Sequence, residues 1–262
     1  METTELKLAK HSISVTVLGH LNSKKGVLLF PGYGNSIDDY AHLSNHFLNK
    51  GYTFYYFSLP TITNKNWKKT IPISLSDWNT ALINYLKNTP TEKMILIGHS
   101  IGTRLALNTE LPTLSIEKQV FLTPDGIYPD YRFLAVTRTL LGRFLFRLLL
   151  GSSTLSNWLI KITELILTKK DQQIITFSLS TKNKRIKLYT TWVSLCKLFF
   201  IKKDETYPSY FILAKHDQII HTNRILKIIK HSKVIKSIVL PCSHQQLLKN
   251  FSQSSENLEF LD

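Results

Sequence analysis

Short, unbroken apolar runs followed by glycine or proline turns constrain this chain more than any other feature. Gly26-Val27-Leu28-Leu29-Phe30 is closed by Pro31-Gly32 and Met94-Ile95-Leu96-Ile97 by Gly98, while Gln119-Val120-Phe121-Leu122, read as another strand, ends at Thr123-Pro124. A run that is apolar throughout, rather than at alternate positions, is the pattern of a strand buried on both faces of a parallel sheet. Leu6–Leu8 and Ile13–Val17 instead alternate apolar with polar residues, as half-exposed antiparallel edge strands do. Between the buried runs the period changes to that of a helix. Ile37, Tyr40, Leu43, Phe47 and Leu48 recur at helical spacing behind Ser36, and Leu75–Leu86 forms a second such stretch. Strands alternating with helices call for a mostly parallel central sheet with right-handed crossovers, flanked by helices.

The alternation stops at Thr123-Pro124-Asp125-Gly126 and resumes with the strand Tyr210–Leu213, the helix Asn223–Ile229, the strand Ile235–Leu240 and the helix from His244. The segment between, 127–207, reads as a helical insertion late in the sheet. The expected organisation is one α/β core from 1–126 and 208–262, with 127–207 as a helical cap. A chain of 262 residues, 43% hydrophobic, has enough apolar surface for such a core. Cys196 and Cys242 are the only cysteines, which excludes a disulfide framework and a cysteine-built metal site, and both read as reduced core residues. The acidic start Met1-Glu2-Thr3-Thr4-Glu5 does not read as a signal peptide, and Phe133–Leu150, the most apolar stretch, is interrupted by Arg138, Arg143 and Arg147. A cytoplasmic protein is expected, with membrane association through the cap as an option.

Chemistry concentrates where the buried strands end. Gly98-His99-Ser100-Ile101-Gly102 is a G-x-S-x-G sequence directly after an apolar strand and before a helix start. A nucleophile on so tight a strand-to-helix turn needs a strained backbone, and glycines on either side remove side chains that would collide with neighbours. Ser100 is thus the candidate nucleophile. The loop Phe30-Pro31-Gly32-Tyr33-Gly34-Asn35 follows another buried strand, and can turn the Tyr33 N–H toward Ser100. Together with the Ile101 N–H it would supply two donors for an oxyanion. A serine hydroxyl needs a base, and the base an orienting carboxylate. Asp217 and His244 follow later strands and open on the same sheet edge. Their chain order, Ser, Asp, His, is the one used on such sheets. His216 is the rival base and Asp125, at the end of another strand, the alternative acid.

These residues identify the chain as one that resembles the α/β-hydrolase superfamily, in particular its members with a helical cap between the sixth and seventh core strands. The resemblance covers residues 5–126 and 208–255. It implies Ser100 as nucleophile, His244 as base, Asp217 as acid and the Tyr33 and Ile101 amides as oxyanion hole. Pro31 stands where many members have histidine. The loop after Leu59-Pro60 lacks the usual glycine-rich turn, and the residue before Asp217 is His216 rather than a small one.

The formal charge of +15 is concentrated in the insertion: residues 127–206 hold fourteen Lys and Arg against five Asp and Glu. Read as one helix, Tyr131–Leu150 would set Arg132, Arg143 and Arg147 within about 60° of one another. A basic, apolar amphipathic segment can lie on a membrane or cover a greasy pocket. His99, Trp158 and Trp192 are candidates to line an apolar acyl pocket beneath the cap, as are Phe199 and Phe200. No nucleic-acid reader motif accompanies the charge. An anionic or lipid-like acyl compound fits it better, and the chemistry calls for no metal or organic cofactor. The expected function is a serine hydrolase that cleaves a carboxylic ester or thioester with an apolar acyl portion through an acyl-enzyme. Acyl transfer, carbon–carbon hydrolysis and a non-catalytic hydrolase-like binding protein are the alternatives.

Overall fold

The computed structural model describes residues 2–8, 10–61, 64–166, 172, 176–198, 207–230, 232 and 234–262. Eight strands form one sheet: β1 (Glu2–Leu8), β2 (His11–Leu18), β3 (Lys25–Phe30), β4 (Thr53–Phe57), β5 (Lys93–His99), β6 (Ser115–Leu122), β7 (Ser209–Ala214) and β8 (Ile235–Leu240). Their spatial order is β1-β2-β4-β3-β5-β6-β7-β8. β1 pairs antiparallel with β2 and β2 antiparallel with β4; every other pairing is parallel. Only β1 of the first two strands is an edge strand. β2 lies between β1 and β4, and its Ile13, Val15 and Val17 are buried, so its alternation marks a covered face rather than an edge.

The strand period of two divides the core into layers. Leu28, Phe30, Leu96 and Phe121 face one side, where they pack with Trp78 and Leu82 of helix α2 (Leu75–Leu86) and with Leu105 of α3 (Thr103–Leu107). Their neighbours Val27, Leu29, Ile95, Ile97 and Val120 face the other. There they meet Leu43 and Phe47 of α1 (Ala41–Asn49) and, from near the end of the chain, Leu247 and Phe251. Cys196 and Cys242 are buried and free.

Between β6 and β7 come α4 (Tyr131–Arg138), α5 (Leu140–Gly151), α6 (Ser153–Ile166) and α7 (Lys182–Leu195). After β7 follow α8 (Thr222–Ile229), α9 (His244–Ser252) and α10 (Ser255–Glu259). The segment expected as one helix from 131 to 150 is two. Thr139 is extended (φ −80°, ψ 149°), and its side chain accepts the Gly142 N–H, starting α5 afresh. The break cancels the shared helical phase of Arg132 with Arg143 and Arg147. It also brings α5 against α4 at Gly142, where a Cβ would lie 1.9 Å from the Ala135 carbonyl oxygen. The insertion has its own apolar cluster of Phe146, Leu150, Leu179, Ile186, Tyr189 and Val193, joined by Trp67 from the loop after β4. Trp67 meets Tyr189 edge-on at 5.3 Å, so the loop that departs from the usual pattern anchors the insertion to the core. Among the described residues no helix is long and apolar enough to cross a membrane.

Candidate active site

Ser100 has φ +48°, the left-handed region that side chains rarely occupy, and it is held there by contacts on both sides. A Cβ at Gly98 would lie 2.6 Å from the Thr103 Cα, and one at Gly102 would lie 2.2 Å from the Phe30 carbonyl oxygen. The turn therefore packs backbone to backbone against the end of β3, and only glycine fits at either position. The parallel register of β3 with β5 sets Phe30 beside Gly98, which brings the Pro31–Gly34 loop alongside His99 and Ser100.

His244 is the first residue of α9, with Ser243 as N-cap in a capping box with Gln246. Its Nε2 lies 3.1 Å from the Ser100 hydroxyl and its Nδ1 2.6 Å from Asp217 Oδ2. The His244 side chain is 9% exposed and that of Asp217 1%. A carboxylate only accepts, so the Nδ1 proton belongs to the bond with Asp217, and Nε2 is left to accept from Ser100. The other oxygen, Asp217 Oδ1, accepts the Ile219 and Ile220 N–H groups at 2.9 and 2.8 Å. The turn after β7 thus fixes the carboxylate in place. His216 does not compete: it is exposed, and only its backbone N–H is engaged, by the Cys242 carbonyl.

Asp125 is committed elsewhere. Its two oxygens accept from Arg104 Nε and Nη2 at 2.8 and 3.0 Å, and its own N–H donates to the Ser100 carbonyl at 3.1 Å. Arg104, on α3 just after Ser100, is 2% exposed and lies over the Phe133 ring at 4.2 Å. Of the two candidate acids, the structure brings Asp217 to His244 and gives Asp125 to Arg104.

The Tyr33 side chain crosses to the insertion, where its hydroxyl donates to the Lys184 carbonyl at 2.8 Å, and burial pushes its pKa up. Next in the chain, Gly34 lies under Phe177, 3.4 Å from where a Cβ would stand. His99 does not line a pocket. It is buried, next to Ser100 in the chain, with Nδ1 2.8 Å from the Tyr40 hydroxyl, and that hydroxyl accepts the Gly32 N–H at 3.0 Å. Burial, with His244 stacked 6.3 Å away, lowers the His99 pKa to about 3, so the ring is neutral. Tyr40 was legible in sequence only as an apolar helix position. Its link between the nucleophile strand and the Gly32–Tyr33 loop has no local signature.

The aromatic candidates separate. Trp192 packs between Phe133 and Phe146 of the insertion, at 5.0 and 5.6 Å, and also lies against the main core cluster, so it sits at the seam between the two. Trp158 is 61% exposed on the outside of α6, which removes it as a pocket residue. Phe199 and Phe200 lie outside the described residues.

No protein-family model matches the sequence, and no curated protein sequence matches it. Solved structures do. The chain is similar to a serine hydrolase, CCSP0084, of the hydrocarbon-degrading Cycloclasticus zankles, with 16% identity, a TM-score of 0.65, and coverage of 100% of this chain and 98% of the other. It is similar to a carboxylesterase of the thaumarchaeon Nitrososphaera gargenis at 15% identity and TM-score 0.64, over 98% of this chain and 96% of that one. It is also similar to an esterase of Exiguobacterium antarcticum at 13% identity and TM-score 0.61, over 99% of both. At these identities the likeness is one of fold, and it settles that point: the chain has the α/β-hydrolase fold.

Proposed function

We propose that the protein is a serine hydrolase that cleaves carboxylic ester bonds through an acyl-enzyme. The observation that carries the reading is the hydrogen-bonded series Ser100–His244–Asp217 on a strained turn. Ser100 Oγ attacks the ester carbonyl carbon while its proton passes to His244 Nε2, and Asp217 balances the imidazolium. The carbonyl oxygen becomes an alkoxide facing the Tyr33 and Ile101 N–H groups, where each donor contributes about 3–4 kcal/mol by analogy with measured oxyanion holes. Collapse re-forms the carbonyl and breaks the bond to the ester's alkoxy oxygen, which takes the proton from His244 and departs as the alcohol, leaving an acyl-Ser100 ester. Water, deprotonated by His244, then releases the acid and restores the hydroxyl.

The acyl portion is apolar on this reading, a choice supported by the aromatic Phe177 lying over Gly34 in the loop that carries the Tyr33 N–H. Kinship of fold with carboxylesterases and a serine hydrolase supports the ester over other bonds. A thioester would use the same steps, with a thiolate leaving. The test is labelling with a fluorophosphonate, mass-spectrometric location of the adduct, and turnover of p-nitrophenyl esters of graded chain length. An adduct on Ser100 that is lost in Ser100→Ala and weakened in His244→Ala is expected. A folded protein that neither labels nor turns over any ester overturns the proposal in favour of a hydrolase-like binding protein.

A further inference from the structure

The helical insertion carries an apolar face that the fold does not use. On α5, Leu140, Leu141, Phe144, Leu145 and Leu148 are 86, 68, 46, 54 and 47% exposed. At 100° per residue they fill one arc of about 140° with no polar residue in it. The opposite side of the helix does the packing: Phe146 and Leu150 are buried in the insertion's own cluster. The next helix, α6, also exposes large apolar side chains, Leu155 at 44% and Trp158 at 61%, about 60° apart on its outer side. α5 is therefore apolar on two faces, one buried and one in water. A contiguous patch of large exposed hydrophobes marks a site of association.

Charge selects the partner. From Tyr131 to Thr163 the sequence contains no Asp or Glu, against Arg132, Arg138, Arg143, Arg147 and Lys161. Arg147 borders the apolar arc, lies 5.7 Å from the Phe144 ring, and donates to the Lys68 carbonyl at 3.3 Å, which brings the exposed Lys68 and Lys69 to the same margin. A second copy of this chain would present the same cations to this fringe, and like charges would oppose the contact. An anionic lipid surface instead neutralises the fringe while its acyl boundary takes up the leucines, and an exposed tryptophan is suited to the headgroup level. No described helix can span a bilayer, so the contact is peripheral.

We infer that the outer faces of α5 and α6 dock the protein onto anionic membranes, leucines and Trp158 inserted and the basic fringe at the headgroups. The inference stands apart from the catalytic reading, because none of these residues belongs to the Ser100 site. The test is co-flotation of the purified full chain with vesicles of phosphatidylcholine alone and of phosphatidylcholine with about one-third phosphatidylglycerol. Partitioning is expected to be at least tenfold stronger on the anionic vesicles and to weaken in high salt. Leu141→Asp/Leu145→Asp should lower it at least tenfold, and Lys161→Glu severalfold, with thermal melting and turnover of a soluble short-chain ester unchanged. No binding to anionic vesicles overturns the inference. Equal binding to neutral vesicles overturns its electrostatic half. A dimer detected by light scattering and abolished by Leu141→Asp/Leu145→Asp overturns it in favour of self-association.

Discussion

Replacing Asp217 by asparagine tests the proposed chemistry more sharply than removing the side chain, because the surrounding backbone dictates how the amide must sit. Oδ1 accepts two N–H groups, from Ile219 and Ile220, at 2.9 and 2.8 Å. An asparagine that turned its NH2 toward them would lose both bonds and oppose donor to donor. The amide oxygen therefore stays on the turn, and the NH2 faces His244 Nδ1, where Oδ2 had been at 2.6 Å. An NH2 cannot accept, so the imidazole must carry its proton on Nε2, pointing at Ser100. The base is then in the wrong tautomer, although its position is nearly unchanged. In a hydrolase with the same three groups this loss is ~10⁴-fold in kcat, equivalent to about 5 kcal/mol at 1.36 kcal/mol per decade. The assay is kcat and KM on p-nitrophenyl butyrate for wild type, Asp217→Asn and Asp217→Ala. KM should change little for the asparagine variant. Its melting temperature should stay within about 4 °C of wild type, the shift about 1 kcal/mol would give. Asp217→Ala should melt lower, since it also strips two buried N–H groups of their acceptor. An asparagine variant within tenfold of wild-type kcat would refute the argument, and with it the role of Asp217 in holding the imidazole.

Three further outcomes follow from the same geometry. Gly102→Ala forces a methyl to 2.2 and 2.4 Å from the Phe30 and Pro31 carbonyl oxygens; soluble expression and esterase activity should both be lost, while the distant Gly51→Ala, with open space around its Cβ, should cost only about 1 kcal/mol or more of left-handed strain by denaturant unfolding. Asp125→Ala leaves the buried Arg104 unpaired and should cost ~3 kcal/mol in urea unfolding, the low end of the usual range, because Asp125 is itself 22% exposed and water can take its place. His99 has a native pKa of about 3 against 6.5 when unfolded, so the unfolded chain binds the extra proton between those values. Its contribution to stability is complete above pH 6.5 and is lost as pH falls toward 3, at about 1.4 kcal/mol per pH unit, and His99→Gln should flatten the unfolding free energy against pH by that slope.

What was legible in the sequence is what local rules govern. The helix Leu75–Leu86 and the strand Ile235–Leu240 have the bounds their periodicity gives, since each is closed by its own residues. Ser100, Asp217 and His244 line up from sequence because parallel strands open their C-terminal ends on one edge, and residues just past those ends are brought close. The failures are long-range or ambiguous. Thr139 is compatible with helix interior and with a cap, and the apolar period runs on through it, so the break between α4 and α5 was hidden. Trp158 was assigned to a pocket on residue type alone, whereas the outward phase of α6 decides where it lies. The His99–Tyr40 bond joins residues 59 positions apart, and although the sequence favours Asp217, nothing local to Asp125 reveals that Arg104 holds it.

Arg104 has a consequence beyond stability. It grips Asp125 with two nitrogens and the Leu198 carbonyl, just after α7, with Nη1 at 3.2 Å. Asp125 in turn holds the Ser100 carbonyl through its N–H. The insertion is thus bonded to the turn that carries Ser100. Any swing that carries Leu198 outward strips a buried guanidinium of one acceptor or drags it along, and the pull arrives at the backbone oxygen of the one serine whose dihedral angle is already under tension. A displacement of the chain at Leu198 is thus transmitted, through one guanidinium and one backbone N–H, to the turn that holds Ser100.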